Sequence, residues 1–218
     1  MQKCSYRDAQ IVSALHTHAV LCTEQIAALL FSAHKYSLLI CRRRLASLSL
    51  HGRVVRKRFA PYASNVYAVE SWPKQWEHRL GANWVYCWLR QTLKPGESLY
   101  HWQAPYYSGS IRPDALWAIR SGQQTQFGLL EVDRGTNSFD KVAQYCAYYK
   151  QAEYQTEWWA QQAARFPQVL IATQTQARLN KIRRAIATDN TCKLTFEVVL
   201  LDDLRSKVIS RLVSRIVS

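Results

Sequence analysis

The chain has 218 residues, 48% of them hydrophobic, and carries 29 Lys+Arg against 15 Asp+Glu for a formal net charge of +14. That length and an ordinary globular hydrophobic fraction support one substantial core or two small ones, and no apolar run reaches the roughly eighteen residues that a membrane-spanning helix needs. The basic balance favours a polyanionic partner, nucleic acid before an anionic membrane surface, because each phosphate neutralised releases counterions.

The first eight residues have no apolar leader segment, so a soluble, cytoplasmic protein is expected. Six cysteines (Cys4, Cys22, Cys41, Cys87, Cys146, Cys192) are scattered without C-x-x-C spacing, several inside helical apolar patterns. They read as reduced core residues rather than as zinc ligands or disulfide partners.

In chain order, the first predicted helix covers about Arg7 to His16, with Ile11, Val12 and Leu15 on one side. A second starts from Thr23 as N-cap, with Ile26, Leu29 and Leu30 as its stripe, and a third runs from about Lys35 to Leu50 over Leu38, Cys41, Leu45 and Leu48. Gly52 ends it, the basic run Arg53 to Phe59 follows, Pro61 to Asn65 supplies a turn, and Val66 to Val69 closes a hairpin. Three short helices and a basic two-stranded hairpin, residues 1–70, make a winged helix-turn-helix. These seventy residues hold ten Lys+Arg and three Asp+Glu. Tyr36, Arg43 and Ser47 lie opposite the core stripe of the third helix, with Arg42 and Arg44 at its flanks and Lys35 at its start. That is the placement of a helix entering a major groove, and Arg53, Arg56, Lys57 and Arg58 would hold phosphates from the wing. A solvated basic face that contacts protein is the alternative.

Residues 71–218 read as a second, α/β domain. A Trp-rich amphipathic helix over residues 76–89 comes first, and strands follow at about 99–103, 115–119, 127–133, 169–173 and 196–201. Helices are predicted at about 139–164, 176–187 and from Asp203 onward, the last with Leu204, Val208, Leu212 and Ile216 on one face. This order gives an α+β protein whose mixed sheet is flanked by helices.

The chemistry-bearing motif is Arg112-Pro113-Asp114 with Glu131-Val132-Asp133-Arg134 at the end of the apolar run Phe127-Gly128-Leu129-Leu130. A Pro-Asp turn entering one strand, and two carboxylates at period-two spacing on the next, bring three acids to one sheet end. Oxygen-preferring divalent metals are held in this way. Glu131 follows a run that reads as buried, where an unpaired carboxylate is costly, so a clustered polar site is expected rather than a solvated strand end.

The order of elements and these motifs resemble the PD-(D/E)XK nuclease-like fold. Taken whole, with the His78 helix, Arg112-Pro113-Asp114, Leu130 through Thr136 and the tyrosines after Lys141, the chain resembles the replication-relaxation family of bacterial mobile elements. The resemblance implies a winged helix joined to a degenerate nuclease-like domain, double-stranded DNA as partner, and a role in plasmid replication, relaxation or mobilisation. A nuclease of this fold usually carries Lys two residues after the Glu, where this chain has Asp133. The implied catalytic set is then Asp114, Glu131 and Asp133, holding Mg²⁺ or Mn²⁺, with Lys141 or Arg134 replacing the missing cation. Gln144 and Tyr148 resemble the Gln-x-x-x-Tyr motif of RecB-type nucleases and stand as DNA-backbone contacts, or as a Tyr-rich helix face packed on the sheet. Glu77, beside His78, is a further candidate ligand.

Three functions follow: a DNA-binding regulator of transcription, replication, relaxation or transfer with a scaffolding nuclease-like domain; a metal-dependent endonuclease directed by the winged helix; and a protein-binding adaptor. A homodimer, or a complex with other mobile-element proteins, is the expected assembly, nucleoid- or plasmid-associated.

Overall fold

A computed structural model describes residues 5–135 and 139–214; Cys4, Thr136 and Ile216, all named above, lie outside the described residues. Among the described residues the chain is α+β, with seven α-helices, a three-stranded antiparallel sheet and a five-stranded mixed sheet. It divides into two compact units, one formed by Met1–Trp88 with Arg205–Ser218 and the other by Leu89–Leu204, whereas the sequence-based division falls at residue 70. None of the described helices is long and apolar enough to cross a membrane.

The first unit starts with α1 (Tyr6–His18), β1 (Leu21–Cys22), α2 (Thr23–Leu30) and α3 (Ser37–Leu50), then β2 (Val55–Lys57) and β3 (Val66–Ala68). Ser5 caps α1 in a capping box with Asp8, whose backbone N–H the Ser5 hydroxyl accepts. The two-residue strand β1, which the sequence does not signal, pairs antiparallel with β3 and leaves β3 between β1 and β2. Residues Ile11, Leu15, Ile26, Phe31, Cys41 and Leu45 are buried, close to the predicted stripes. Gly52 takes φ +65 just after α3, as a helix-ending glycine does.

Helix α4 (Trp76–Thr92) contains the first boundary between the units. Its N-terminal part is tied into the first unit. Asn83 donates to the carbonyls of His18 (3.1 Å) and Val20 (2.6 Å), its Oδ1 lies 3.2 Å from His18 Nδ1, and Gln25 donates to the Leu80 carbonyl at 2.9 Å.

The second unit is a sheet in the order β4 (Glu97–Gln103), β5 (Ala115–Ser121), β6 (Gln124–Asp133), β7 (Gln168–Thr173), β8 (Phe196–Leu200). The first two pairings are antiparallel and the last two parallel. Parallel pairing requires crossovers, supplied by α5 (Lys141–Lys150) between β6 and β7 and by α6 (Gln176–Asp189) between β7 and β8. The core holds Leu129, Tyr145, Cys146, Val169, Ile171, Leu179 and Ile182, so β6, β7, α5 and α6 bury one continuous layer.

The helix expected to run to Ala164 stops at Lys150. Ala152 adopts φ 56, a short 3-10 turn spans Glu153–Thr156, and the chain folds back on itself. Tyr154 stacks on Tyr149 (5.4 Å, 3°) and on Trp159 (6.1 Å, 10°), and Phe166 meets Trp159 edge-on. A continuous helix would spread these rings around its circumference; folding back gathers them and buries Trp159. The last helix, α7 (Leu201–Ser214), starts two residues earlier than expected and contains the second boundary, with Leu204, Val208 and Leu212 buried.

Candidate functional site

Charge is divided unevenly. The first unit holds sixteen Lys+Arg against four Asp+Glu, and the second holds thirteen against eleven, so nearly all the excess positive charge lies on one unit. Within it, Lys35, Tyr36, Arg42, Arg43, Arg44, Arg53, Arg56, Lys57 and Arg58 are all exposed. Lys35 and Tyr36 stand just before α3, which starts at Ser37 rather than at Lys35, and the others lie on its solvent side and on and around β2. Several are oriented by neighbours: Arg44 pairs with Asp8 at 3.6 Å, Arg58 donates to Asn65 Oδ1 at 3.2 Å, and Lys57 lies 4.7 Å over the Trp72 ring. Leu39 adds an exposed apolar residue to this face of α3. The arrangement gives a helix and an adjoining hairpin with cations facing water, able to meet phosphates.

The second unit gathers the acids. Ala115 pairs with Leu130 across β5 and β6, which sets Asp114 opposite Glu131. The Asp114 backbone N–H donates to the Leu130 carbonyl (2.8 Å), and its Oδ2 accepts the Val132 N–H (2.7 Å), so the Pro-Asp turn is fastened to β6 by both its backbone and its side chain. Glu131 is 6% exposed. It accepts from the Tyr145 hydroxyl at 2.9 Å, and Lys141 Nζ lies 3.1 Å from its other oxygen. Lys141 and Tyr145 are one helical turn apart on α5 and therefore reach the same carboxylate. Burial pushes the Glu131 carboxyl up to about 7, with the Asp114 charge adding to the rise and Lys141 and Tyr145 opposing it.

Asp133 lies on the same face of β6 but turns to a different partner. Its two oxygens accept from Arg178 Nε and Nη2, both at 2.8 Å, and one also accepts from Thr173 Oγ1 at 2.9 Å. Burial alone would raise this carboxyl; the bonds from Arg178 and Thr173 win and hold it below the ordinary Asp value. Two carboxylates, Asp114 and Glu131, thus stand together with Lys141, while Asp133 belongs to an Arg178 fork. Two hard oxygen donors, with water completing the shell, match what Mg²⁺ takes from a protein. Asp133, with both oxygens on Arg178, fits that role poorly, and Glu131 would have to exchange its Lys141 or Tyr145 contact to take it. Among the described residues no group of three or more His, Cys, Asp and Glu side chains is gathered to hold a metal ion.

Of the other sequence candidates, Gln144 is exposed and Tyr148 is fully buried, its hydroxyl bonded to Ser108. Packing against the sheet describes Tyr148. Glu77 and His78 are in the first unit, apart in the chain division from the acids.

Sequence comparison bears on this arrangement directly. The replication-relaxation family profile matches residues 60–169, half of the chain, including the hairpin's second strand, Asp114, Glu131, Asp133, Lys141 and Tyr145. The chain belongs to the replication-relaxation family. No curated protein and no solved structure matches it. Membership points this replication-relaxation protein toward the replication or relaxation of plasmids and mobile elements.

Two residues of the acid site, Tyr145 and Arg178, were given no role in the sequence reading. Tyr145 could have been found from its i+4 spacing to Lys141. Arg178 could not, because it reaches Asp133 only through the parallel register of β6 on β7, which pairs Asp133 with Thr173.

Proposed function

We propose that this protein binds double-stranded DNA through a winged helix formed by α3 and the β2–β3 hairpin, and so regulates replication, relaxation, transfer or transcription of a mobile element. The observation that carries the reading is the sixteen-to-four charge ratio of the first unit, with nine exposed residues of α3 and the wing facing water together. The order helix, strand, helix, helix, strand, strand, with β3 between β1 and β2, supports it. In this reading the second unit is a nuclease-like scaffold.

A second reading, a metal-dependent endonuclease, is favoured by one observation: Lys141 stands 3.1 Å from Glu131, a cation beside the acids although Asp133 occupies the usual lysine position. Asp114 and Glu131 would hold Mg²⁺ or Mn²⁺, which when bound polarises a phosphate and lowers the pKa of water. Lys141 would orient the Glu131 carboxylate and add positive charge where a phosphodiester develops negative charge.

The test uses the full chain. Anisotropy with a labelled duplex should show binding that weakens steeply with salt and is lost in Arg43→Ala combined with Arg56→Ala. An absence of binding at low salt would overturn the DNA-binding reading and favour a protein-binding adaptor. Incubation with supercoiled, linear and single-stranded DNA plus Mg²⁺ or Mn²⁺ separates scaffold from enzyme: cleavage abolished by Asp114→Ala or Glu131→Ala establishes the enzyme.

A further inference from the structure

We propose that the wing takes up unpaired nucleobases by stacking, so that the DNA this protein prefers carries single-stranded nucleotides beside the duplex. The proposal rests on the DNA-binding reading above and names the substrate of that same surface more closely. Its basis is a pair of exposed rings in the loop between β2 and β3, Phe59 and Tyr62, each held in place by neighbours of the first unit.

Phe59 is mounted on two indoles. Its ring stacks on Trp76 with 3.9 Å between centroids and 11° between planes, and it is tilted against Trp72 at 5.6 Å. Trp72 and Trp76 meet each other at 5.9 Å, and Lys57, two residues before Phe59, lies 4.7 Å over Trp72. With one face covered in this way, Phe59 is still 48% exposed. A ring backed by a parallel ring on one side and wet on the other is a platform on which a further flat ring can continue the stack. Tyr62 is fixed differently. The Ala63 N–H donates to the Ala60 carbonyl at 3.0 Å, closing a four-residue turn with Pro61 second and Tyr62 third. Pro61 presets the backbone angle that its place in the turn requires, and Arg58 braces the loop by donating to the Pro61 carbonyl (3.5 Å) and to Asn65 Oδ1 (3.2 Å). The Tyr62 side chain projects from this braced turn and is completely exposed.

A small aromatic core that anchors the start of α4 to the hairpin is the plainer reading. It accounts for the half-buried Trp72 and Trp76 and for the covered face of Phe59. It does not account for the open part of Phe59 or for Tyr62, two rings left in water within four residues of chain. Charge selects what would cover them. Arg53 and Arg56 are exposed on the same hairpin, and the first unit holds sixteen cations against four acids, so a polyanion is drawn to this place. Nucleic acid is the polyanion that also presents flat rings, and its bases are open to stacking where they are not already paired and stacked in a duplex. Aromatic platforms set among cations hold single strands in this manner, with little dependence on sequence. Because the turn and the ring stack are ordered before binding, little freedom is lost when a base arrives.

The test uses the full chain with a blunt duplex, the same duplex carrying a short thymidine gap, and a thymidine single strand. Wild type should bind the gapped duplex about tenfold more tightly than the blunt one, and a fluorescent base analogue placed in the gap should be quenched on binding. Phe59→Leu and Tyr62→Leu should each lose the preference and the quenching while keeping the affinity for the blunt duplex. Phe59→Tyr, which retains a flat ring, should keep both. Tyr62 is fully exposed, so its variant decides the question even if Phe59→Leu disturbs the packing on Trp76. Equal wild-type affinity for blunt and gapped duplexes, with the analogue unquenched, would overturn the inference and leave the DNA-binding reading standing. Leucine variants as selective for the gap as wild type would also overturn it. Binding of the gapped and single-stranded DNA without the blunt duplex would support the inference and overturn the duplex reading, and binding of none of the three would overturn both.

Discussion

Lys141, the first residue of α5, places its Nζ 3.1 Å from Oε2 of Glu131 on β6, supplying a cation to a carboxyl that is otherwise buried. The contact joins the crossover helix to the sheet end where Asp114 stands, and it makes the charge of the acid site a property of two elements rather than one.

Glu131 gives the fold a pH dependence of unusual sign for a carboxylate. Its folded-state pKa is raised from 4.5 to about 7, so the folded chain holds a proton that the unfolded chain releases, and stability falls as pH rises through that window. The shift corresponds to about 3 kcal/mol. Urea unfolding between pH 4.5 and 7 should show the decline in wild type and a flatter profile in Glu131→Gln. Lys141→Met should extend the decline to higher pH, because an opposing charge is removed. Identical profiles for wild type and Glu131→Gln would contradict the assignment.

Asp133 acts in the opposite sense. Its folded pKa lies below 3.8, so the stability it contributes is present above that value and disappears as pH falls through the lowered one. Both side chains of the Asp133–Arg178 pair are 12% exposed, and Asp133→Asn should cost about 3 kcal/mol by leaving the guanidinium without its counter-charge. A double-mutant cycle with Arg178→Met measures the coupling, which should be near zero at acid pH if the pair is what the variant breaks.

Gly128→Ala should destabilise the second unit by about 2 kcal/mol. A Cβ at residue 128 would stand 2.1 Å from ring atoms of Trp117, its partner across β5 and β6, and that indole is buried. Thermal unfolding reads the effect, and Trp117→Ala in the same chain should relieve the clash; a Gly128→Ala protein as stable as wild type would show that the ring has room to move.

Asn83→Leu should cost about 2 kcal/mol although it adds apolar volume to a buried position. The substitution removes both donors that satisfy the His18 and Val20 carbonyls and the acceptor beside His18 Nδ1. Calorimetry of the variant checks this, and a neutral outcome would mean that water replaces the amide.

Sequence alone determined much of this protein. Stripes such as Cys41, Leu45 and Leu48, the apolar run Phe127 to Leu130 in β6, and the glycine after α3 are local signals, written in the 3.6-residue period, in apolar runs and in turn chemistry, and they located most elements to within a few residues. The exposed cations of α3 were legible for the same reason, because they face away from a readable core stripe, and those of β2 were legible as a basic run. Tertiary structure decided what depends on partners far apart in the chain. It ended α5 at Lys150 so that Tyr154, Trp159 and Phe166 could meet, and it added β1 because Leu21 and Cys22 find a partner in β3. It also separated acids that spacing had grouped, giving Glu131 to Lys141 and Tyr145 and Asp133 to Arg178. Period-two spacing fixes which face a carboxylate points to; which cation meets it there is set by the helices that the parallel crossovers lay across that face.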